Sequence, residues 1–269
     1  MQPERPAALL AEARERAADH QEPQVRRVAQ ALGRDVHVVT TQLEEIVDRV
    51  EIRITRSLAV GRYLREELEA GQVPTLRSVF ETRRQDHSED PVIIAGIVGF
   101  RQEVEGSVFG PDAVSLEVEE RPKFGFAYFS GTPTEPLPFG PVCFLLNLES
   151  AGLRERVTLT PVDSSIPGLA PEEVGTLDHP LNTFARSSDA LRAGQLLGGA
   201  IPADSGVRDN TREGTPEAQV WGALQVTSDQ IRAIMVEVSA DDDRELDNLR
   251  VVAERQGIPL KVRVLGRES

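Results

Sequence analysis

The period of the apolar residues changes near residue 50, and that change constrains the fold more than any other feature of the chain. Before it, apolar side chains recur at helical spacing. Residues 7–18, with Leu9, Leu10 and Ala13 on one side, and residues 25–32, closed by Gly33, read as two helices. Thr40 or Thr41 caps a third, with Glu44 closing the box from Thr41 beside a stripe of Leu43, Ile46, Val47 and Val50. After the change, Glu51-Ile52-Arg53-Ile54-Thr55-Arg56 alternates like a strand. Ser57 opens a helix that runs to Glu69 and stops at Gly71, and residues 75–82 form a second strand region. The period predicts an α+β chain, with a helical N-terminal segment over residues 1–50 and one domain over residues 51–269.

After a polar stretch, the same reasoning places strands at residues 123–129 and 142–148, joined across a Pro-rich loop at 132–141. Residues 161–209 read as loops around one short helix near 187–197, and long loops in a compact domain often carry function. Residues 218–226 form a strand. Thr227 and Gln230 then box a helical turn holding Ile231 and Ile234, ahead of a strand at 235–238. Ser239 or Asp241 caps a helix through Arg255 that ends at Gly257, its acidic first turn favoured by the helix dipole. Ile258, Leu260, Val262 and Val264 alternate as a closing strand. The sheet expected from these segments is split and mainly antiparallel.

Composition narrows the function classes. Aromatics make up only 4% of the chain, so Leu, Val, Ile and Ala must build the core. The longest apolar run, residues 91–100, is far too short for a bilayer span, and residues 1–30 alternate charge with Ala and Leu, unlike a secretory leader. A single cysteine, Cys143, excludes an internal disulfide and any multi-cysteine metal site, which predicts a reducing cytoplasm and no metal. The four histidines are scattered without ligand spacing. A net charge of −14 opposes a nucleic-acid surface, where Lys and Arg must displace phosphate counterions, and so favours a protein as partner. Gly194-Gln195-Leu196-Leu197-Gly198-Gly199 lacks the Lys-Ser/Thr of a phosphate loop.

Four segments carry a resemblance. Leu76-Arg77-Ser78-Val79-Phe80-Glu81-Thr82 is similar to Y-R-S-Q-F-E-T-G. Glu120-Arg121-Pro122-Lys123-Phe124-Gly125 is similar to E-R-P-K-Y-G-A-L. Pro138-Phe139-Gly140-Pro141-Val142-Cys143-Phe144 is similar to P-R-F-G-S-C-Y, and Pro216-Glu217-Ala218-Gln219-Val220-Trp221-Gly222 to Y-V-E-A-Q-V-H-G. In order and spacing the four resemble the bacterial family known as domain of unknown function 3626, over roughly residues 51–224. The glycine and S-N-G that follow F-E-T in that family are replaced here by Arg83-Arg84-Gln85-Asp86.

The layout also resembles the ADP-ribosyltransferase fold, whose enzymes carry an Arg or His on the first core strand, a Ser/Thr-rich middle strand and a Glu opening a late strand. The resemblance assigns these places to Arg53, to Ser78 through Thr82, and to Glu217, and it implies NAD as substrate. Breaking the glycosidic bond of NAD develops an oxocarbenium-like ribose, as in sugar hydrolysis. On this reading Glu217 stabilises that charge beside the ribose 2′-hydroxyl, and the planar fork of Arg53 grips the pyrophosphate. Ser78 and Thr82 orient the ribose, and Phe80 stacks on nicotinamide. Many members need a second Glu or Gln two residues from the catalytic one, and here the pair is Glu217 and Gln219; if the second place is the catalytic one, the chain lacks its carboxylate. The plainer alternative leaves Arg53 and Glu217 as solvent-facing strand residues, and Ser78, Phe80 and Thr82 as ordinary β-formers with Phe80 in the core.

Two functional readings stand side by side. One is an NAD-dependent mono-ADP-ribosyltransferase, toxin-like or regulatory, with a protein acceptor. The other is a catalytically inactive member of the fold acting as a protein-binding module. Metal-dependent phosphodiester hydrolysis through Asp112, Glu117 and Lys123 is a distant third.

Overall fold

In the computed structural model, which describes residues 4–78, 80–82, 90–128, 140–160, 171–180, 216–238 and 243–264, the chain opens on one helix where the spacing predicts two. Helix α1 (Glu4–Leu32) runs through Pro23. Proline removes one helical hydrogen bond to the carbonyl four residues back, that of Asp19, which is exposed and open to water. Buried residues anchor the helix on both sides of the defect: Leu10, Ala13 and Ala17 before it, and Val25, Val28 and Ala29 after it. Helix α2 (Val36–Val47) is capped by Asp35, whose carboxylate accepts from the backbone N–H of His37 at 2.8 Å. The cap therefore precedes Thr40 and Thr41, and Thr40 lies inside the helix with its hydroxyl donating to the carbonyl of Val36. Val39 and Leu43 of α2 pack on Val25, Val28 and Ala29 of α1.

The remainder is a mostly antiparallel sheet with helices. Its elements are β1 (Glu51–Arg56), α3 (Val60–Glu69), β2 (Thr75–Leu76), α4 (Pro91–Phe109), α5 (Pro111–Val114), β3 (Lys123–Tyr128) and β4 (Val142–Leu146). There follow β5 (Val157–Thr160), β6 (Gly175–Thr176), β7 (Glu217–Val220), β8 (Leu224–Gln225), β9 (Ile231–Val238), α6 (Asp243–Arg255) and β10 (Leu260–Val264). Eight strands form one sheet in the order β10-β9-β4-β1-β3-β7-β5-β6, and β2 pairs with β8 in a separate ribbon. Every pairing is antiparallel except β9 with β10, which α6 links as a parallel crossover.

Pleating gives the large sheet two unlike faces. Ile54, Phe144, Ile234, Ala218 and Leu159 line the first, which α3 and α6 cover with Val60, Leu64, Leu249 and Val252. The two helices approach closely at Gly61, where an added Cβ would lie 2.9 Å from the Leu249 side chain. The second face carries polar residues such as Arg53, Glu217, Gln219 and Thr158 among aromatic and aliphatic ones such as Phe124, Phe126, Tyr128 and Leu145, and helix α4 lies over part of it. There Phe109 meets Trp221 edge-on at 4.8 Å, in a cluster that also takes in Leu10 and Ala13 of α1.

Several expectations are corrected. Residues 75–82 are not one strand: only Thr75–Leu76 pairs, and Phe80, Glu81 and Thr82 are helical. Ser78 is the cause, since its hydroxyl accepts from the N–H of Glu81 and its carbonyl from that of Thr82, local bonds that compete with a ladder. Residues 218–226 split into β7 and β8 at Gly222, which adopts φ +75°. Thr227–Gln230 is a plain turn, and Ile231 and Ile234 belong to β9, where both β-branched side chains are buried. Helix α4 occupies part of what reads as a polar stretch. Asp90 caps it through the N–H groups of Val92 and Ile93, with Pro91 in the first turn. The helix expected at 187–197 and the caps Ser239 and Asp241 lie outside the described residues. Among the described residues no helix is long and apolar enough to cross a membrane.

Candidate functional site

Strand register places three of the expected residues on the polar face. Arg53 of β1 is paired with Phe126 of β3, Phe126 with Glu217 of β7, and Glu217 with Thr160 of β5. Directly paired residues project to the same side of a sheet. Arg53, Phe126, Glu217 and Thr160 therefore form one row, in which the Cα atoms of Arg53 and Glu217 stand two strand spacings, about 10 Å, apart. Gln219 heads the adjacent row between Phe124 and Thr158. The sequence folds this way because β1, β3, β5 and β7 alternate apolar with polar or aromatic residues, and each apolar set must face α3 and α6.

Gln219 is fully buried and spends its amide on neighbours. Its Nε2 donates to Glu217 Oε1 at 2.8 Å and to Thr160 Oγ1 at 2.9 Å, and its Oε1 accepts from Thr158 Oγ1 at 3.0 Å. Trp221 Nε1 in turn donates to Thr158 Oγ1 at 2.8 Å. This chain of bonds fixes the Glu217 carboxylate, which is 6% exposed. A buried network in which each member has its partners holds one geometry, since any rearrangement strands a donor or acceptor away from water.

Arg53 is held from two sides. Its Nε and Nη2 donate to Glu51 Oε2 at 3.2 and 2.6 Å, and its guanidinium lies 4.3 Å from the ring centre of Tyr128. Arg232 grips the other oxygen of Glu51 at 2.6 Å. Partial burial alone would raise the pKa of Glu51, but the bond from Arg53 and the charges of Arg53 and Arg232 outweigh it and hold the carboxyl below its ordinary value. Burial pushes the Tyr128 hydroxyl up, against the pull of Arg53. Cys143, one strand over on the same face, is fully buried and its thiol is pushed up to about 12 by desolvation, which leaves it protonated and non-nucleophilic.

The remaining expected residues are placed otherwise. Phe80 is buried, its ring edge-on to Phe124 at 5.6 Å and to Phe100 at 6.1 Å. It therefore packs above the Gln219 row from within an aromatic cluster. Ser78 and Thr82 turn their hydroxyls to their own backbone, Thr82 Oγ1 donating to the Ser78 carbonyl at 3.2 Å. Lys123, the cation of the metal-nuclease alternative, donates Nζ to the carbonyls of Glu119, Arg121 and Gly222 at 2.6 to 2.9 Å. Burial, with the charges of Arg156 and Arg56 nearby, pushes its pKa down to about 7, while three carbonyl acceptors work to keep the ammonium. Among the described residues no three His, Cys, Asp or Glu side chains converge as metal ligands.

The sequence reading missed Tyr128, Glu51, Thr158, Thr160 and Trp221. The signal for two of them was present, because Val157-Thr158-Leu159-Thr160 alternates with the two-residue period of a half-polar strand. Comparison of the chain with models of known protein families gave no match, and comparison with curated proteins gave none either.

Proposed function

We propose that the polar face of the sheet binds NAD and that the chain is an ADP-ribosyltransferase-like protein related to the domain of unknown function 3626 family. The observation that carries this reading is the row Arg53–Phe126–Glu217, a permanent cation and a carboxylate on one face with an aromatic ring between them. A guanidinium suits a pyrophosphate, and a fixed carboxylate suits the positive charge that develops on ribose as nicotinamide leaves. Glu217 is fixed before any substrate arrives, as electrostatic stabilisation of a transition state requires. Gln219 serves as a positioning residue for it, and protein is the acceptor class that an acidic chain favours.

The test is incubation with labelled NAD. Wild-type protein releases nicotinamide and transfers label, and Glu217→Gln loses at least about 100-fold of that rate. NAD binding read by thermal shift survives in Glu217→Gln and weakens in Arg53→Gln. The second reading, a catalytically inactive member of the fold serving as a protein-binding module, is favoured by one observation: the second place of the Glu-x-Gln pair holds an amide buried in structural bonds. Absence of NAD turnover together with absence of any thermal shift leaves that reading alone.

A further inference from the structure

The large sheet ends at β10, beyond which no strand pairs among the described residues. β10 runs parallel to β9, and Ile234 donates its N–H to the carbonyl of Pro259 at 2.9 Å. In a parallel ladder the residues that bond one neighbour alternate with those turned away from it. Pro259, Lys261 and Arg263 therefore serve β9, and the N–H and C=O groups of Leu260, Val262 and Val264 point off the edge. Val262 and Val264 also leave large apolar side chains exposed, at 39% and 62%. Lys261 and Arg263 project to the opposite face, in register with Met235 and Glu237. Arg263 lies 3.3 Å from Glu237, yet 76% of its side chain is open to solvent.

We propose that β10 is a docking edge for an extended acidic segment of a partner protein, which adds to the sheet as a further strand. Backbone groups of Leu260, Val262 and Val264 supply the ladder, as in recognition by strand addition. Charge selects the occupant. The chain carries −14 overall, whereas this strand carries two cations, so an acidic segment is repelled by the molecule at large and attracted to this edge. Its acidic residues lie beside Lys261 and Arg263, and alternate apolar residues lie beside Val262 and Val264. A second copy of this chain fits less well in the register that pairs the whole strand: antiparallel pairing about Val262 sets Lys261 opposite Arg263 of the other copy, twice, and like charges directly opposed destabilise a pair. The same two cations that guard the edge against self-association admit an acidic partner.

The test is fluorescence anisotropy of the full chain with a labelled pentapeptide alternating glutamate and valine, beside one alternating lysine and valine. The glutamate peptide binds saturably and the lysine peptide does not. Val262→Pro removes an outward donor without touching a bond to β9, so it keeps the thermal midpoint and weakens binding by about ten-fold or more. Lys261→Glu weakens it comparably. Three results would each overturn the proposal: no binding by the wild type, binding that Val262→Pro leaves unchanged, or a wild-type dimer that Val262→Pro dissociates. None of them depends on whether the chain consumes NAD.

Discussion

The two faces of the large sheet are buried almost equally, yet they are held by different physics. On the face under α3 and α6, Ile54, Phe144 and Ile234 are fully buried and stabilise through area removed from water, which is non-directional and tolerates many arrangements. On the opposite face Thr158, Thr160, Gln219 and Glu217 are as deeply placed, but each must reach a particular partner. A polar group taken from water without a partner costs on the order of 1–3 kcal/mol, so this face is stable only in one arrangement. A sheet selected for stability alone would be apolar on both sides. The directional face is the one that fixes side chains in the way a binding or catalytic site needs.

The largest effect belongs to the apolar face. Phe144→Ala, at the centre of β4 between Ile54 and Ile234, leaves a cavity that the strands cannot close, and urea denaturation should show a loss of about 3–5 kcal/mol. Next comes Gln219→Leu on the polar face, which keeps the volume but takes away the acceptor of the Thr158 hydroxyl proton and removes the donor that fixes Glu217. A loss of about 3 kcal/mol is expected by the same measurement. A neutral or stabilising result would mean that the polar face packs by area after all, and the contrast between the faces would fail.

Helix α4 extends the comparison to pH. Its own Glu105 is fully buried, neither carboxylate oxygen has a hydrogen-bond partner, and Arg101 Nε stands 3.9 Å away. Burial pushes its pKa up from 4.5 to about 7, against the opposing pull of Arg101 and Arg121. The folded state thus keeps a proton that the unfolded chain has shed, so wild-type stability falls as pH rises from about 4.5 to about 7 and stays lowered above that. Glu105→Gln lacks this slope. The variant should gain on the order of 2 kcal/mol on the wild type between pH 4 and pH 8, read from denaturation midpoints across that range.

How much of this was legible in the sequence follows the same division. The apolar face announces itself in Glu51 to Arg56, where Ile52 and Ile54 alternate with charged and polar residues, whereas Lys123 to Tyr128 alternates with its aromatic residues turned to the other face. Arg53, Glu217 and Gln219 could be singled out, but only pairing register shows that they share a face, and that register rests on pairings between segments far apart in the chain, Arg53 with Phe126 and Phe126 with Glu217. Ser78 misled because its side chain competes locally for backbone donors, turning an expected strand into a helical turn. Helix α4 was missed for the opposite reason: its first ten residues are apolar all round, so no stripe marks the period, and only the Asp90-Pro91 cap betrays it.

The smallest effect tests how the polar face is tied at its rim. Arg232 reaches Glu51 from β9 at 2.6 Å with more than half of its side chain exposed, so Arg232→Gln should cost less than about 1 kcal/mol at neutral pH and less still in high salt. Its value lies in direction. With Arg232 present, two guanidinium groups hold the Glu51 carboxyl below its ordinary value, and the stability this supplies is present above the unfolded pKa and lost as pH falls through the folded one. With Arg232 gone, Arg53 is the remaining cation of the pair, and the Glu51 carboxyl should titrate at a higher pH by NMR, with acid unfolding beginning correspondingly earlier. If Glu51 does not move, Arg53 alone sets its charge state, and the polar face is held from within β1 rather than from β9, which lies beyond β4.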